Sequence, residues 1–333
     1  MRRLDLGKIP INILNDTVLK LTGAESDKVV APARAGLDFA AVKVGRKFLI
    51  TSADPITGAY EDVGTYAVMV SANDVATSGN MPQFAEVVIL LPRGSSDSEL
   101  AKVARQIHEA AMKIGVTILG GHTEVTPGID HPILMVTMFS LVDRFVTSGD
   151  AREGDTIMMT KTAGLEGTAE LAREHKFPEV PASTLKRARK FIEKLDIREE
   201  AVTSFGTGVV HAMHDCTEGG VMGATFEMSL ASGLGFVLEE AAVPVAPETK
   251  QICDSLSIDP LKLIGSGSLL LAVAPGEEAQ VEEALRGVCK VTRVGSFLKG
   301  GRHVVGKDGT ARALQEAPQD ELWRVLSRSR RLG

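Results

Sequence analysis

Val70-Ser71-Ala72-Asn73-Asp74-Val75-Ala76-Thr77-Ser78-Gly79-Asn80-Met81-Pro82 sets the frame for the rest of this chain. Upstream, Val63, Tyr66, Ala67 and Val70 recur at helical spacing, and Gly79 and Pro82 supply a stop. The spacing therefore predicts a helix whose last turns carry Asn73 and Asp74. That is the unfavourable end for an acid, because the macrodipole places partial negative charge there and an uncompensated carboxylate costs about 0.3–1 kcal/mol. A nearby cation reverses the sign. A solvated acid in a loosely wound helix end is the other reading, and three further Asp-containing turns bear on the choice.

The 333-residue chain is long enough for two domains, each with its own core. Hydrophobic residues at 44% and charged residues at 24% describe an ordinary globular protein. A net charge of −6 and 4% aromatics leave neither a basic field nor stacking platforms, so no nucleic-acid partner is expected. Met1–Lys8 lacks the apolar core of a signal peptide, and the apolar run Ile133–Val142 is too short to span a bilayer. A cytoplasmic protein with no membrane association is the expectation. Cys216, Cys253 and Cys289 are widely spaced, without a CxxC, and read as structural thiols.

Around the central stretch, Ile9–Gly23 reads as an amphipathic segment, and Gly7-Lys8 before it could lie over a phosphate. Asp38 follows a Gly-containing turn. Lys47–Thr51 reads as a strand running into Ser52-Ala53-Asp54-Pro55. Glu86–Leu91 is a further strand, and Ser98 is placed to cap a helix with Leu100, Val103, Ala104, Ile107, Ala111 and Ile114 on one face. His108 lies off that stripe and reads as a surface histidine. Val116–Leu119 reads as a short buried strand ending in Gly120-Gly121-His122-Thr123-Glu124. Close backbone approach to a ligand and a tight hairpin both suit that ending.

Arg144–Gly154 is polar and lacks an apolar period, which marks a linker and divides the chain into 1–149 and 150–333. The second half resumes with strand Thr156–Thr160, the turn Ala163–Gly167 and a helix over Thr168–Glu174. Leu185–Leu195 reads as a basic helix with a solvated face, in preference to a nucleic-acid reader. His214-Asp215-Cys216-Thr217-Glu218-Gly219-Gly220 then opens a helix over Val221–Ala231. Gly219 and Gly220 could turn N–H groups toward an anion, with Asp215 beside them holding a cation. An ordinary N-cap by Asp215 or Thr217 explains the same residues. Strands near Phe236–Glu239, Ser268–Ala274 and Val288–Val294, a helix over Glu277–Arg286 and a basic helix over Asp320–Arg330 complete the reading.

Taken in order, the Asp38 turn, Ser52–Pro55, Ala72–Gly79, Gly120–Glu124 and Asp215–Val221 resemble the aminoimidazole-ribonucleotide-synthase-like (PurM-like) superfamily over nearly the whole chain. The Ala-Asn-Asp-Val-Ala block, the Thr-Glu-Gly-Gly-Val turn and Ala242-Val243-Pro244-Val245 look most like its HypE-like hydrogenase-maturation branch. The resemblance implies an α/β (α+β) fold of two domains. The N-terminal domain (1–149) would form a dimer barrel in a homodimer and carry the ATP and metal site; an α/β domain would follow over 150–333. It also implies ATP, with phosphates reached by Mg²⁺ on aspartates, and transfer of the γ-phosphoryl group to an amide or carbonyl oxygen. That amide oxygen would then leave as phosphate, by dehydration to a nitrile or by ring closure.

On that reading Asp38, Asp54, Asp74 and Asp215 hold metal, since carboxylates facing a polyphosphate repel it unless divalent cations bridge the two. Asn73, Lys8 and Thr217 are nucleotide contacts, and Gly120, Gly121, Gly219 and Gly220 allow backbone approach to phosphates. His122, Glu124 and Glu218 are the candidates to orient or protonate a small-molecule or protein-borne carboxamide acceptor, with a structural role open for His122. The Asp38 turn is one residue longer than the family's Asp-Ala-Ala-Val. His122 and Glu124 stand where HypE-like proteins tend to have an acid and a lysine. The sequence closes Arg330-Arg331-Leu332-Gly333 without the cysteine that HypE modifies on itself, which sets the expectation of an acceptor on another molecule or of a different reaction. A small-molecule kinase resembling thiamine-phosphate kinase, a purine-pathway cyclo-ligase and a catalytically silent nucleotide-binding maturation partner are the competing readings.

Overall fold

A computed structural model describes residue 4 and residues 6–58, 61–174 and 177–329. Arg330–Gly333, with the last residue expected in the terminal helix, lie outside them. In chain order the elements are α1 (Ile11–Asp16), β1 (Val29–Ala31), β2 (Ala40–Val44), β3 (Lys47–Ile56), α2 (Val63–Ala76), β4 (Phe84–Pro92), α3 (Asp97–Ile114), β5 (Thr117–Thr126) and β6 (Ile133–Val142). Then come β7 (Thr156–Thr160), α4 (Leu165–Glu174), α5 (Ala182–Arg189), α6 (Arg198–Gly206), β8 (Val210–Asp215), α7 (Gly220–Ser232), β9 (Gly235–Glu239) and α8 (Pro247–Leu256). The chain finishes with β10 (Leu269–Val273), α9 (Glu278–Ala284), β11 (Val291–Leu298), β12 (Arg302–Val305), β13 (Ala311–Ala313) and α10 (Glu321–Ser329).

The strands make two sheets in two compact units. One unit contains Ser26–Pro32 and Asp38–Phe145; the other gathers Met1–Glu25, Ala33–Leu37 and Val146–Gly333. The units are thus not two consecutive lengths of chain. The segment read as a linker is ordered where the second unit resumes: Thr147 accepts from the Gly149 N–H and, with Asp150, forms a capping box around a short 3₁₀ turn.

The first unit holds a six-stranded sheet ordered β1-β2-β3-β6-β4-β5, antiparallel except for the β4–β5 pair. α2 packs on β3 and β6 and on α3. Every residue of α2 except Thr65 is buried, which explains a helix apolar on all sides. α3 starts at a capping box in which Ser96, not Ser98, accepts from the Glu99 N–H, and Gly115 ends it in the left-handed conformation. Alternation along β4 turns Ala85, Val87, Ile89 and Leu91 inward and leaves Phe84, Val88 and Leu90 on the opposite face. Among the described residues no helix of this unit covers that face, and Phe84, Met135 and Leu141 are about two-fifths exposed there.

The second unit holds a seven-stranded sheet ordered β13-β12-β9-β11-β7-β10-β8, antiparallel except for β9–β12. β7 and β10 are buried along their whole lengths, as continuous apolar runs such as Leu-Leu-Leu-Ala-Val require. At the end of β7, Lys161 adopts a φ of 53° and its ammonium is fixed by Glu200 at 2.6 Å and by the carbonyls of Asp196 (2.6 Å) and Gly267 (2.9 Å). Cys216 and Cys253 are buried, Cys289 is half-buried, and none of the three is in a disulfide among the described residues. Among the described residues no helix is long and apolar enough to cross a membrane.

Candidate functional site

In the first unit the Asn73–Asp74 pair occupies the last turns of α2, as its spacing predicts, but Asp74 is buried rather than solvated. Ser52, on β3, donates its hydroxyl to Asp74 Oδ2 at 2.6 Å. Asp54 stands two residues further along β3 and therefore on the same face of the strand, half-buried. Asp38 lies two residues ahead of β2. The register that pairs Ala40 with Thr51 brings it to the same end of the β2–β3 pair as Asp54. Three of the four aspartates singled out in the sequence thus belong to one unit, two of them on or facing one strand face.

Gly120-Gly121-His122-Thr123-Glu124 corrects the expectation made for it. The segment is the middle of β5, a ten-residue strand at the sheet edge, and its residues are exposed. The preceding apolar residues Ile118 and Leu119 are exposed as well, so the strand is longer than expected and is not buried. The physical reason is in Gly121: a Cβ there would lie 1.8 Å from Val87 O, at a φ of +148°. The register of β4 against β5 shifts beside it, between Ala85 and Glu86. Gly121 thus serves close strand approach at an irregularity. His122 and Glu124 point to one side of the strand and meet at 3.0 Å, both well exposed.

In the second unit Asp215 ends β8, and α7 opens at Gly220 with Gly219 at its N-cap and no side-chain cap from Asp215 or Thr217. Asp215 is 1% exposed and its Oδ2 has no hydrogen-bond partner among the described residues. A buried carboxylate oxygen without a donor fits a hard cation such as Mg²⁺. Beside it His214 Nδ1 lies 3.7 Å from Asp215 Oδ1, and His214 Nε2 lies 3.1 Å from Glu227 Oε2. Lys8 reaches the same glutamate at 3.1 Å, lies 3.4 Å from Thr217 Oγ1, and donates its backbone N–H to Glu218 Oε1 at 2.6 Å. Burial works against the charge on Glu227, but Lys8 and His214 outweigh it and hold the carboxyl at about 2. Glu227, Glu218 and Asp215 together hold the pKa of the half-exposed Lys8 above the ordinary lysine value.

The glycine turn is engaged within its own unit. The Gly219 N–H donates to Asp320 Oδ2 at 2.6 Å, and the Gly220 N–H donates to Thr217 O at 3.0 Å. Gly220 is required by space, since a Cβ would meet Leu261 O and Leu263 O at 2.7 Å. The N–H groups expected to face an anion are thus met by a carboxylate from the residue before α10 and by a turn carbonyl. Asp320 also accepts from the Leu322 N–H; its burial pushes the carboxyl up to about 7 despite these two donors.

Glu227, Asp320 and Glu166 were not singled out in the sequence. Glu227 carries no local motif, and its role appears once α7 brings it under His214. Glu166, in the first turn of α4, keeps a buried Oε2 without a partner among the described residues. Burial, with Glu170, Asp320 and Asp215 nearby, raises it to about 8. The acid in Gly164-Leu165-Glu166-Gly167 was the available signal.

Comparison with known proteins gives the class first. The family descriptions AIR synthase related protein, N-terminal domain, and AIR synthase related protein, C-terminal domain, match residues 36–142 and 152–308. The chain belongs to the AIR synthase related family, and it has the two-sheet α/β architecture of the PurM-like superfamily.

Its curated relatives carry hydrogenase-maturation names. It is 29% identical over 289 residues to a putative hydrogenase expression/formation protein of Methanocaldococcus jannaschii, with 84% of each chain covered. It is 28% identical over 251 residues to the carbamoyl dehydratase HypE of Cupriavidus necator, covering 73% of this chain and 70% of that one. A chain of a HypE–HypF complex superposes with a TM-score of 0.76 at 20% identity, over 91% of this chain and 99% of that chain. AaThiL complexed with AMPPCP and TMP gives 0.72 at 20% identity, over 92% and 96%. HypE in complex with ATP gives 0.70 at 24% identity, over 94% and 93%. At these identities the superpositions carry the fold.

Proposed function

We propose that the chain is an ATP-dependent enzyme of the HypE-like branch that phosphorylates a carboxamide or carbonyl oxygen. Bound ATP would supply the γ-phosphoryl group that turns a poor leaving oxygen into phosphate, so that dehydration or ring closure releases ADP and phosphate. The observation that carries this reading is the buried Asn73–Asp74 pair with Ser52 and Asp54 on the facing strand, in a chain of this family.

Asp38, Asp54, Asp74 and Asp215 are the proposed magnesium ligands, and Asn73, Lys8 and Thr217 the proposed nucleotide contacts. Ser52 fixes Asp74 in one orientation through the 2.6 Å bond, which keeps one carboxylate oxygen aimed. The His122–Glu124 pair and Glu218 are proposed for the acceptor side. Residues 1–149, with the first-unit sheet, are proposed as the part that dimerises, because that sheet leaves an apolar face and a ten-residue edge strand without cover in its own unit. The HypE–HypF complex supports a maturation protein as a further partner.

The test is an ATPase screen with candidate carboxamides, followed by mass analysis of the products. Acceptor-stimulated release of ADP together with free phosphate is expected; absence of magnesium-dependent nucleotide binding would end the proposal. The likeness to ThiL, the thiamine monophosphate kinase of Aquifex aeolicus, favours a second reading as a small-molecule kinase, in which the phosphoryl group stays on the product.

A further inference from the structure

A cleft of about 460 Å³ opens in the second unit between the α7–β9 turn, the β11–β12 turn and the residues around the end of β13. Its size falls in the range of small-molecule sites. Gly235, Gly300 and Gly301 leave part of its lining without side chains, Leu314 adds an apolar surface, and Arg302 adds donors. No Asp or Glu is among the lining residues.

Arg302 is held before any ligand arrives. Its Nε donates to Ser229 Oγ at 2.7 Å, and the Ser229 hydroxyl in turn donates to Leu234 O at 2.5 Å, so donor and acceptor roles are fixed along the relay. The guanidinium carbon sits 4.9 Å from the centre of the Phe226 ring, which supports its flat face. The Arg302 carbonyl is tied as well, accepting from the Leu314 N–H at 2.9 Å. Nη1 and Nη2 have no partner among the described residues. A guanidinium anchored through Nε and one face, with both terminal nitrogens available, presents a fork that matches two oxygens of a carboxylate or phosphate. Because the side chain is already ordered, little rotamer entropy remains to be lost on binding.

We propose that this cleft binds a small oxyanion-bearing ligand, its carboxylate or phosphate oxygens on Arg302 and its apolar body along Leu314 and the glycine floor. The C-terminal turn of α7 also gains from a nearby cation, and this is the role Arg302 keeps if no ligand binds.

Isothermal titration of the full chain, with its nucleotide site saturated by magnesium and AMPPCP, tests the site with three probes: inorganic phosphate, phenyl phosphate and benzoate. Saturable binding of phenyl phosphate or benzoate is expected, and comparing the two tells which oxyanion is preferred. R302Q should raise the dissociation constant roughly tenfold to a hundredfold, the loss expected for one charge-assisted fork. R302K, which keeps the charge without the fork, should recover only part of the affinity. Amide shifts at Gly300–His303 in the unmutated protein on titration with benzoate give a readout that needs no variant to fold. No saturable binding of any probe, or binding that R302Q leaves unchanged, would overturn the proposal.

Discussion

Asp74 shows how one side chain changes meaning between string and structure. At the C-terminal turn of α2 a carboxylate opposes the helix dipole, and burial adds a desolvation cost. The Ser52 hydroxyl offsets part of that cost. Asp74→Asn keeps the acceptor for Ser52 while removing the charge. It should abolish magnesium-dependent nucleotide binding, measured by calorimetry, with the thermal midpoint changed little. Unaltered affinity would remove Asp74 from the proposed metal set.

Two other carboxyls make a prediction about pH. Burial raises Asp320 to about 7 and Glu166 to about 8, whereas the unfolded chain ionises them near 4. The folded state holds these protons more tightly than the unfolded state. The two groups therefore add stability at low pH, and lose it as pH rises from about 4 through about 8. Glu166→Gln should flatten the upper part of that decline when denaturant midpoints are compared between about pH 5 and about pH 8. None of this was legible in the string, because a shifted carboxyl depends on what buries it. Asn73 and Asp74 were legible because their helix announces itself by spacing and by its glycine and proline stop.

At the scale of elements, long periodic segments were readable and irregular ones were not. β6 and β7 run over the residues their apolar runs suggest. β5 does not follow its local signal, because paired glycines before polar residues look like a turn and here serve a register shift beside β4. Gly121→Ala places a Cβ against Val87 O and should cost about 2 kcal/mol or more in chemical denaturation. The helices α6 and α8 and the β12–β13 pair had no strong periodic signature, and packing within the second unit defines them. The exposed face of the first sheet carries the prediction on assembly. Met135→Glu should shift a dimer toward monomer in sedimentation, and a wild-type monomer at micromolar concentration would refute the proposed homodimer.

For the whole molecule, the family and the two-sheet architecture could be read from five short blocks in order, none specific alone. What could not be read is the grouping of the chain, since contact between residues two hundred positions apart leaves no mark on local composition. Lys8 is the instance: its ammonium and N–H reach Glu227 and Glu218. Lys8→Met leaves Glu227 buried with His214 as its remaining charge partner among the described residues. Since Lys8 is itself half-exposed, the expected loss is about 1–2 kcal/mol, read from the unfolding transition.

The same grouping has a consequence during synthesis. A ribosome releases the opening residues first, yet the surface that receives Lys8 is on α7, more than two hundred codons later. The six-stranded unit is complete once Phe145 has emerged, so the earlier-made strap must wait, unattached, while an interior portion of the polypeptide condenses ahead of it. The order of birth along the messenger and the order of assembly are therefore different in this protein.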